Sequence, residues 1–251
     1  MARSRRTWLI GGGGAVVVLA IAAFAGWWFF IRDDAPEEAS IDEASRTLDE
    51  SGSGSSGSGS GSDSLDGDWA VDDSIGSFDF DAGDFSGTWA GYRFDEELGG
   101  IGANTAVGRT PGVTGTMTVD GDQVTAVDVE VDMRTLRSDE DRRDNAIKSR
   151  GLETDRFPTG TFRLTEPVVL PDGVESGERV SASASGELTL HGVTKPVTLE
   201  VDAEMRGDNA VIVGHVPVAL SDYDIQPPTN GFVLSVDENG TMEFQIFFSR
   251  Q

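Results

Sequence analysis

The sequence predicts an all-β domain, a single antiparallel barrel or sandwich of about eight strands, displayed beyond one apolar helix. Three observations predict it. Apolar and polar residues alternate with a period of two: Val127, Val129, Val131 and Met133 against Asp128, Glu130 and Asp132; Val197 to Met205; and Met242, Phe244, Ile246 and Phe248 against Thr241, Glu243 and Gln245. Dipeptides of the hairpin-turn type, Asp120-Gly121, Asp172-Gly173, Asn230-Gly231 and Asn239-Gly240, punctuate the runs. Ahead of them all, Trp8 to Ile31 is an uninterrupted apolar stretch of 24 residues.

Taken in order, residues 1–7 form a basic flank with Arg3, Arg5 and Arg6. The 8–31 stretch, at about 1.5 Å per residue, spans roughly 36 Å, enough for a hydrocarbon core of about 30 Å with some tilt. The flank assigns the N-terminus to the cytoplasm and the rest of the chain to the other side of a cell membrane. Ala23-Phe24-Ala25 has the small-x-small form of a signal cleavage site, the alternative reading. Against it, the apolar run continues through Trp27-Trp28-Phe29-Phe30-Ile31, which resembles an interfacial aromatic belt. Either way the following part is exported.

Residues 32–67 read as a disordered linker, first acidic, then Ser/Gly from Ser51 to Ser62, with a short helix conceivable only over Ile41 to Leu48. As a flexible chain it spans roughly 30–35 Å and leaves the folded part free to move. Residues 68–251 carry the strands. The alternating segments already named are joined by Ser86 to Phe94, Val113 to Val119, Thr161 to Leu164, Val180 to Leu190 and Ala210 to Leu220. Ser138 to Ser149 breaks the pattern and predicts a short surface helix, capped by Ser138 with Asp141 and tied to the barrel by Leu136, Ile147 and Leu152.

Net charge is −25, with 44 acidic and 19 basic residues, which disfavours nucleic acid and anionic head groups as partners. Without cysteine there are no disulfides, so an exported domain must rely on its core. Candidate chemistry is sparse. His191 lies in a turn marked by Gly192 and Pro196, where a bracing hydrogen bond explains it better than general-base work. His215 stands two residues before Pro217, which suggests an edge strand or bulge. Two separate histidines make no metal site, and the acidic loop Asp79 to Asp84 lacks a twelfth-position calcium ligand, Ala90 standing there. No catalytic residue, metal or cofactor is therefore expected, and a lipid-modifying enzyme using His191 is the weakest alternative.

What remains is the interior. Candidate inward residues are Trp89, Tyr92, Phe94, Val129, Val131, Phe162, Leu188, Leu190, Phe232, Leu234, Phe244 and Ile246. Such a face fits a solidly packed core, as in a ligand-free structural or stress-related exported module, or the wall of a cavity.

Several segments resemble the YceI-like family of bacterial exported proteins. The most specific is Leu188-Thr189-Leu190-His191-Gly192-Val193-Thr194-Lys195-Pro196-Val197-Thr198-Leu199. In the same order come Asp68-Trp69-Ala70-Val71-Asp72, Gly115-Thr116-Met117, Arg143-Asp144-Asn145 and Leu152 to Phe162. The resemblance implies a lipocalin-like antiparallel barrel with an elongated hydrophobic channel. It also implies binding of a polyisoprenoid, quinone or other lipid chain rather than catalysis. Two histidines common in the family are missing: Asn145 and Ala146 follow the Arg-Asp pair, and Asp95 to Gly100 follow the second strand. The glycine-rich stretch Leu98 to Thr110 is expected as a flexible loop at the channel mouth.

Overall fold

The alternating runs of the sequence form thirteen strands among residues 35–52, 65–229 and 231–251, which the computed structural model describes. They are β1 Gly67–Val71, β2 Trp89–Leu98, β3 Gly102–Thr110, β4 Val113–Asp120, β5 Gln123–Asp132, β6 Arg137–Ser138, β7 Thr159–Leu164, β8 Val168–Val169, β9 Val180–Leu190, β10 Val193–Arg206, β11 Asn209–Ala219, β12 Val233–Val236 and β13 Asn239–Arg250. All pairings are antiparallel. The order β1-β4-β5-β7-β9-β10-β11-β13 closes on itself because β13 also pairs with β1. The result is an eight-stranded barrel, as the sequence predicted.

Closure is shared between two strands. The C-terminal half of β13 pairs with β1 (Val71 opposite Phe248), and its N-terminal half pairs with β2 (Thr241 opposite Arg93). Beyond β2 the wall continues through β3 to β6. The stretch Gly99 to Thr110 is therefore not a loop: only a tight turn precedes β3, which is paired with β2 along its length. Between β6 and the next ring strand, β7, lies the expected helix, shorter than predicted. It is α2, Asp141–Ala146, continued by a π-turn over Ile147–Gly151. (The first helix, α1, is Ile41–Gly52.) The cap of α2 is Glu140, whose carboxylate accepts from the Arg142 amide, whereas Ser138 donates instead to Asp144 at 2.6 Å. Leu136, Ile147 and Leu152 do tie this segment to the core.

Two of the expected turns move. Asp120-Gly121 does join β4 to β5, but Asn239-Gly240 opens β13, with Gly240 opposite Val218. The β9–β10 turn is His191-Gly192, both at positive φ. Pro196, expected in that turn, lies within β10. The β10–β11 ladder ends at Glu200 opposite His215, so Pro196 and Pro217 both lie in stretches where these two strands no longer pair. A residue that cannot donate fits there at no cost.

The largest departure concerns the linker. Its acidic part is docked, and α1 packs on the outside of β10 and β11. Ile41, Ala44, Ser45 and Leu48 recur at helical spacing. Ala44 and Leu48 are fully buried against Ile75, Val211, Val213 and Phe247, residues on the outer side of the barrel wall. Arg179 pairs with Asp42, and Arg206 with Asp49 at 2.9 Å. The segment before it is also held: Arg93 donates to the Pro36 carbonyl at 2.6 Å, Arg109 to that of Glu37, and the Ala39 amide to Glu243 at 3.3 Å. Among the described residues no helix is long and apolar enough to cross a membrane. The apolar run Trp8 to Ile31 and most of the Ser/Gly tract lie outside them.

This docking makes α1 part of the domain's core. Leu48→Ala is expected to cost about 2–5 kcal/mol, as for other buried leucines, measured by urea unfolding; an exposed tether residue would cost nothing measurable.

Candidate functional site

Inside the barrel lies a cavity of about 730 Å³, within the range of sites that enclose a small organic ligand. Its wall is built from the inward positions of the strands. Valines 127, 129 and 131 come from β5, Ala182 and Ala184 from β9, Val201 and Ala203 from β10, and Ala210 and Ile212 from β11. The cavity spans two packed clusters, one around Trp69, Met117 and Phe248, the other around Tyr92, Leu190 and Leu199, with Phe244 touching both. At the end near the His191-Gly192 turn the lining passes to Phe232, 52% exposed, so the cavity reaches the surface there.

The space is open because its aromatic rings lie along the wall. Tyr92 lies over Gly108, its direct cross-strand partner, and Phe244 over Gly214 in the same relation. Phe94 covers Gly240, and Phe162 covers Gly186. A Cβ at any of the four would overlap the ring. Small inward residues at Ala182, Ala184 and Ala203 leave the axis unfilled.

Ten of the twelve candidates line this cavity: Tyr92, Phe94, Val129, Val131, Phe162, Leu188, Leu190, Phe232, Phe244 and Ile246. Trp89 and Leu234 do not. Trp89 is an odd residue on a strand whose even positions, Ala90, Tyr92 and Phe94, face in. It is buried on the outside instead, its indole donating to the Phe85 carbonyl at 3.0 Å and the Arg109 guanidinium lying 3.8 Å from its ring centroid. Leu234 follows the cavity-facing Val233 on β12 and is 57% exposed. The sequence reading missed Trp69, Met117 and Met205, which belong to the same period-two pattern and also line the space.

The polar residues of the lining near the mouth are Glu96, Glu140, Arg142 and Arg143; Thr110, Thr161, Glu178, Glu204 and Glu243 border it elsewhere. Arg143 pairs with Glu96 at 2.6 Å and with Asp139. Burial raises the pKa of Tyr92, an effect that the carboxylates of Asp144, Glu96 and Asp139 reinforce and Arg143 opposes. The phenol is thus a protonated donor at any physiological pH. Burial also raises the Asp144 pKa, against the hydrogen bonds from Ser138.

Neither histidine lines the cavity. His191 lies in a left-handed turn conformation, its Nδ1 3.1 Å from the Tyr223 carbonyl and its Nε2 3.4 Å from Glu153, with Phe157 edge-on. This is the bracing geometry expected of it. His215 is exposed on the outer face of β11. Among the described residues no three His, Asp or Glu side chains gather as metal ligands. Asp79 accepts from the amides of Asp81 and Ala82, which closes the acidic loop on itself.

A closed antiparallel barrel around an elongated apolar cavity defines a protein of the lipocalin-like kind. The model of the YceI-like domain matches residues 69–248, and the chain belongs to that family. It is 30% identical over 151 residues to a UPF0312 protein of Vibrio vulnificus, covering 57% of this chain and 75% of that protein. It is 32% identical over 148 residues to the protein YceI of Shigella flexneri, covering 54% and 72%. Among solved structures it is similar to a polyisoprenoid binding domain from Saccharophagus degradans implicated in plant cell wall breakdown. There the TM-score is 0.53 at 12% identity, covering 73% of this chain and 98% of that one, a likeness of fold.

The rings on the glycines set the width of the cavity. Gly240→Ala, where the Phe94 ring is the near neighbour, is expected to push that ring inward and narrow the space while the barrel stays closed. A crystal structure of the variant showing Phe94 unmoved would contradict this.

Proposed function

We propose that this protein is a membrane-anchored, extracytoplasmic carrier that holds an isoprenoid or other lipid chain inside its barrel, and that it is not an enzyme. The observation that carries the reading is the cavity itself: long, continuous through both ends of the core and walled by hydrocarbon. Burial of an apolar chain contributes roughly 25 cal/mol per Å², without needing directional contacts. The polyisoprenoid-binding description of the structural relative agrees with such an occupant. The position of both histidines away from the cavity supports binding over lipid chemistry.

The membrane half of the reading draws on the docked segment from Pro36 to Ala39. Pro36 is held at Arg93, opposite Thr241, and Ala39 at Glu243, two residues further along β13. The helix then ends near Arg206, at the far end of the barrel. The described chain therefore starts toward the mouth and runs away from it. Only Arg32, Asp33 and Asp34 separate Ala35 from the apolar run, a reach of about 14 Å at most. The mouth carries the exposed residues Ile101 (47%), Phe232 and Leu234, with the Gly99 amide donating to the Phe232 carbonyl at 2.7 Å to hold the two turns together. That apolar rim, presented toward the leaflet, gives a lipid a dry path inward.

Two outcomes are expected. Full-length protein purified from its own host carries lipid detectable by native mass spectrometry and extraction, and Ala184→Trp, which fills the lumen, abolishes this while the protein stays folded. No lipid, and no uptake of a fluorescent prenyl probe, would sink the carrier reading. Second, in phosphatidylcholine vesicles Ile101→Asp with Leu234→Asp slows probe uptake from the bilayer at least several-fold. The amount bound at equilibrium stays the same, because neither side chain lies deep in the cavity.

A further inference from the structure

One seam of the barrel is open. The ladder between β10 and β11 runs from Arg206 opposite Asn209 to Glu200 opposite His215 and stops there. Both strands go on, each held on its other side: β10 by β9 as far as Val193 opposite Leu190, and β11 by β13 as far as Ala219 opposite Asn239. The two-residue turns flanking β10, His191-Gly192 and Gly207-Asp208, put its even residues and the odd residues of β11 on this seam. Continued in register, Thr198 would face Pro217 and Pro196 would face Ala219. Each proline withholds a donor from that ladder, so the sequence itself keeps the seam from zipping. The open stretch starts at the mouth, beside the His191-Gly192 turn, and runs down the wall. Between its edges lies a second void, of about 330 Å³, bordered by 195–198, 216–219, Asp222 and Tyr223. Val216 borders both this void and the main cavity.

We propose that this seam is a side gate, through which the lipid chain passes sideways between bilayer and cavity, with Val216 and the turn Leu220–Tyr223 yielding to admit it. This rests on the carrier reading and extends it to the route the ligand takes. Parting a fully paired seam breaks ladder hydrogen bonds and leaves backbone donors and acceptors unanswered. Here no ladder has to break. Across the opening, Lys195 lies 3.8 Å from Asp222, both side chains exposed, a pair worth little in water. Tyr223 is buried behind it, its carbonyl 3.1 Å from His191 Nδ1, on a turn of only four residues. The inner lips are apolar: Val197, Val216 and Val218 belong to the core cluster around Leu190 and Leu199. The outer lips, Pro196, Thr198 and Pro217, are exposed, because α1 covers these two strands further along, at Val211 and Val213, and leaves this end bare. Threading end-on would draw the whole chain clear of lipid before the barrel covered it. Moving sideways, each methylene enters one apolar surrounding as it leaves another, so the cost of exposure does not accumulate along the chain.

The chain has no cysteine, so a staple can be set across the seam alone. Thr198→Cys and Pro217→Cys, made together in the full chain, are bridged with a bismaleimide whose linker carries a reducible disulfide. The same variant with both thiols capped by N-ethylmaleimide is the open control. Each protein is placed in phosphatidylcholine vesicles containing nitrobenzoxadiazole-labelled farnesol, and uptake and release are followed by fluorescence. A chain lying along the seam cannot move sideways beneath a strap that crosses it. The stapled protein is therefore expected to exchange probe about tenfold more slowly than the capped one, the effect of about 1.4 kcal/mol on the barrier. The amount bound at equilibrium stays the same, and reducing the linker restores the rate. Independently, Pro196→Val with Pro217→Val returns the two missing donors and is expected to slow exchange several-fold. Stapled protein that exchanges as fast as capped protein would overturn the gate and leave the carrier reading with an end-on route. So would undiminished exchange in the variant without the two prolines. If the unaltered chain takes up no probe, the carrier reading falls, and the gate with it.

Discussion

A bulky ring can lie flat on a β-wall only where the strand beneath it has no Cβ. Four glycines grant this to the four rings Tyr92, Phe94, Phe162 and Phe244, and the hollow interior depends on it. Interiors normally close to crystal-like density, and an inward face with this many aromatics has the volume to do so. Here the rings are spent covering backbone. The cross-strand contact that replaces the missing Cβ restores packing to glycine positions that would otherwise weaken the sheet. The remaining inward positions, valine and alanine on β5, β9, β10 and β11, are too short to meet across the barrel.

Much of this was legible in the sequence, for a definable reason. A half-exposed antiparallel strand writes its orientation as a period of two, so β5, β10 and β13 announced both themselves and their inward residues. The period blurs where a strand is buried on both faces. Ala210-Val211-Ile212-Val213 and Ile246-Phe247-Phe248 are continuous apolar runs because β11 and β13 are buried on both faces, the outer one by α1. Trp89 was taken for an inward residue because burial and inwardness coincide on most barrel strands. Its parity with Tyr92 is opposite, so the two never shared a face. Asn239-Gly240 looked like a turn, but that glycine is there for the Phe94 ring. The pairing of rings with glycines is invisible in one dimension, since the partners lie on neighbouring strands up to 146 residues apart, as Phe94 and Gly240 are.

The docking of α1, named in the sequence only as a short helix over Ile41 to Leu48, has a different lesson. Composition alone marked residues 32–67 as unable to bury enough surface to order themselves, which holds for the segment in isolation. The barrel supplies what the segment lacks: an apolar stripe already formed by Val211, Val213 and Phe247, against which a short helix loses little by ordering. The Ser/Gly tract then joins the end of α1 to β1 and is not the sole link between the apolar N-terminal run and the domain. A chain held at Pro36 and Glu37 leaves the barrel far less freedom relative to residues 8–31 than a leash running from Asp33 to Gly67 would.

What fixes that placement is the charge on the outer wall. Glu204 is buried on β10 and held by Arg179 at 2.7 Å, by Arg206 and by the Ser45 hydroxyl; Glu243 is buried on β13 and held by Arg109 at 2.9 Å. Taking a carboxylate out of water is costly, and such groups add little net stability over apolar residues of the same shape. Their effect is on choice among arrangements. An apolar stripe of Ala44 and Leu48 fits a flat patch of valines in more than one register, one helical turn apart. Only one of these seats Ser45 on Glu204 while Asp42 meets Arg179 and Asp49 meets Arg206. Sliding the helix by a turn takes the Ser45 hydroxyl from the buried Glu204 carboxylate, a penalty of about 1–3 kcal/mol, and parts Asp42 and Asp49 from their arginines. The outer faces of β10 and β13 therefore determine where the chain enters the domain, while their inner faces determine what the cavity can hold.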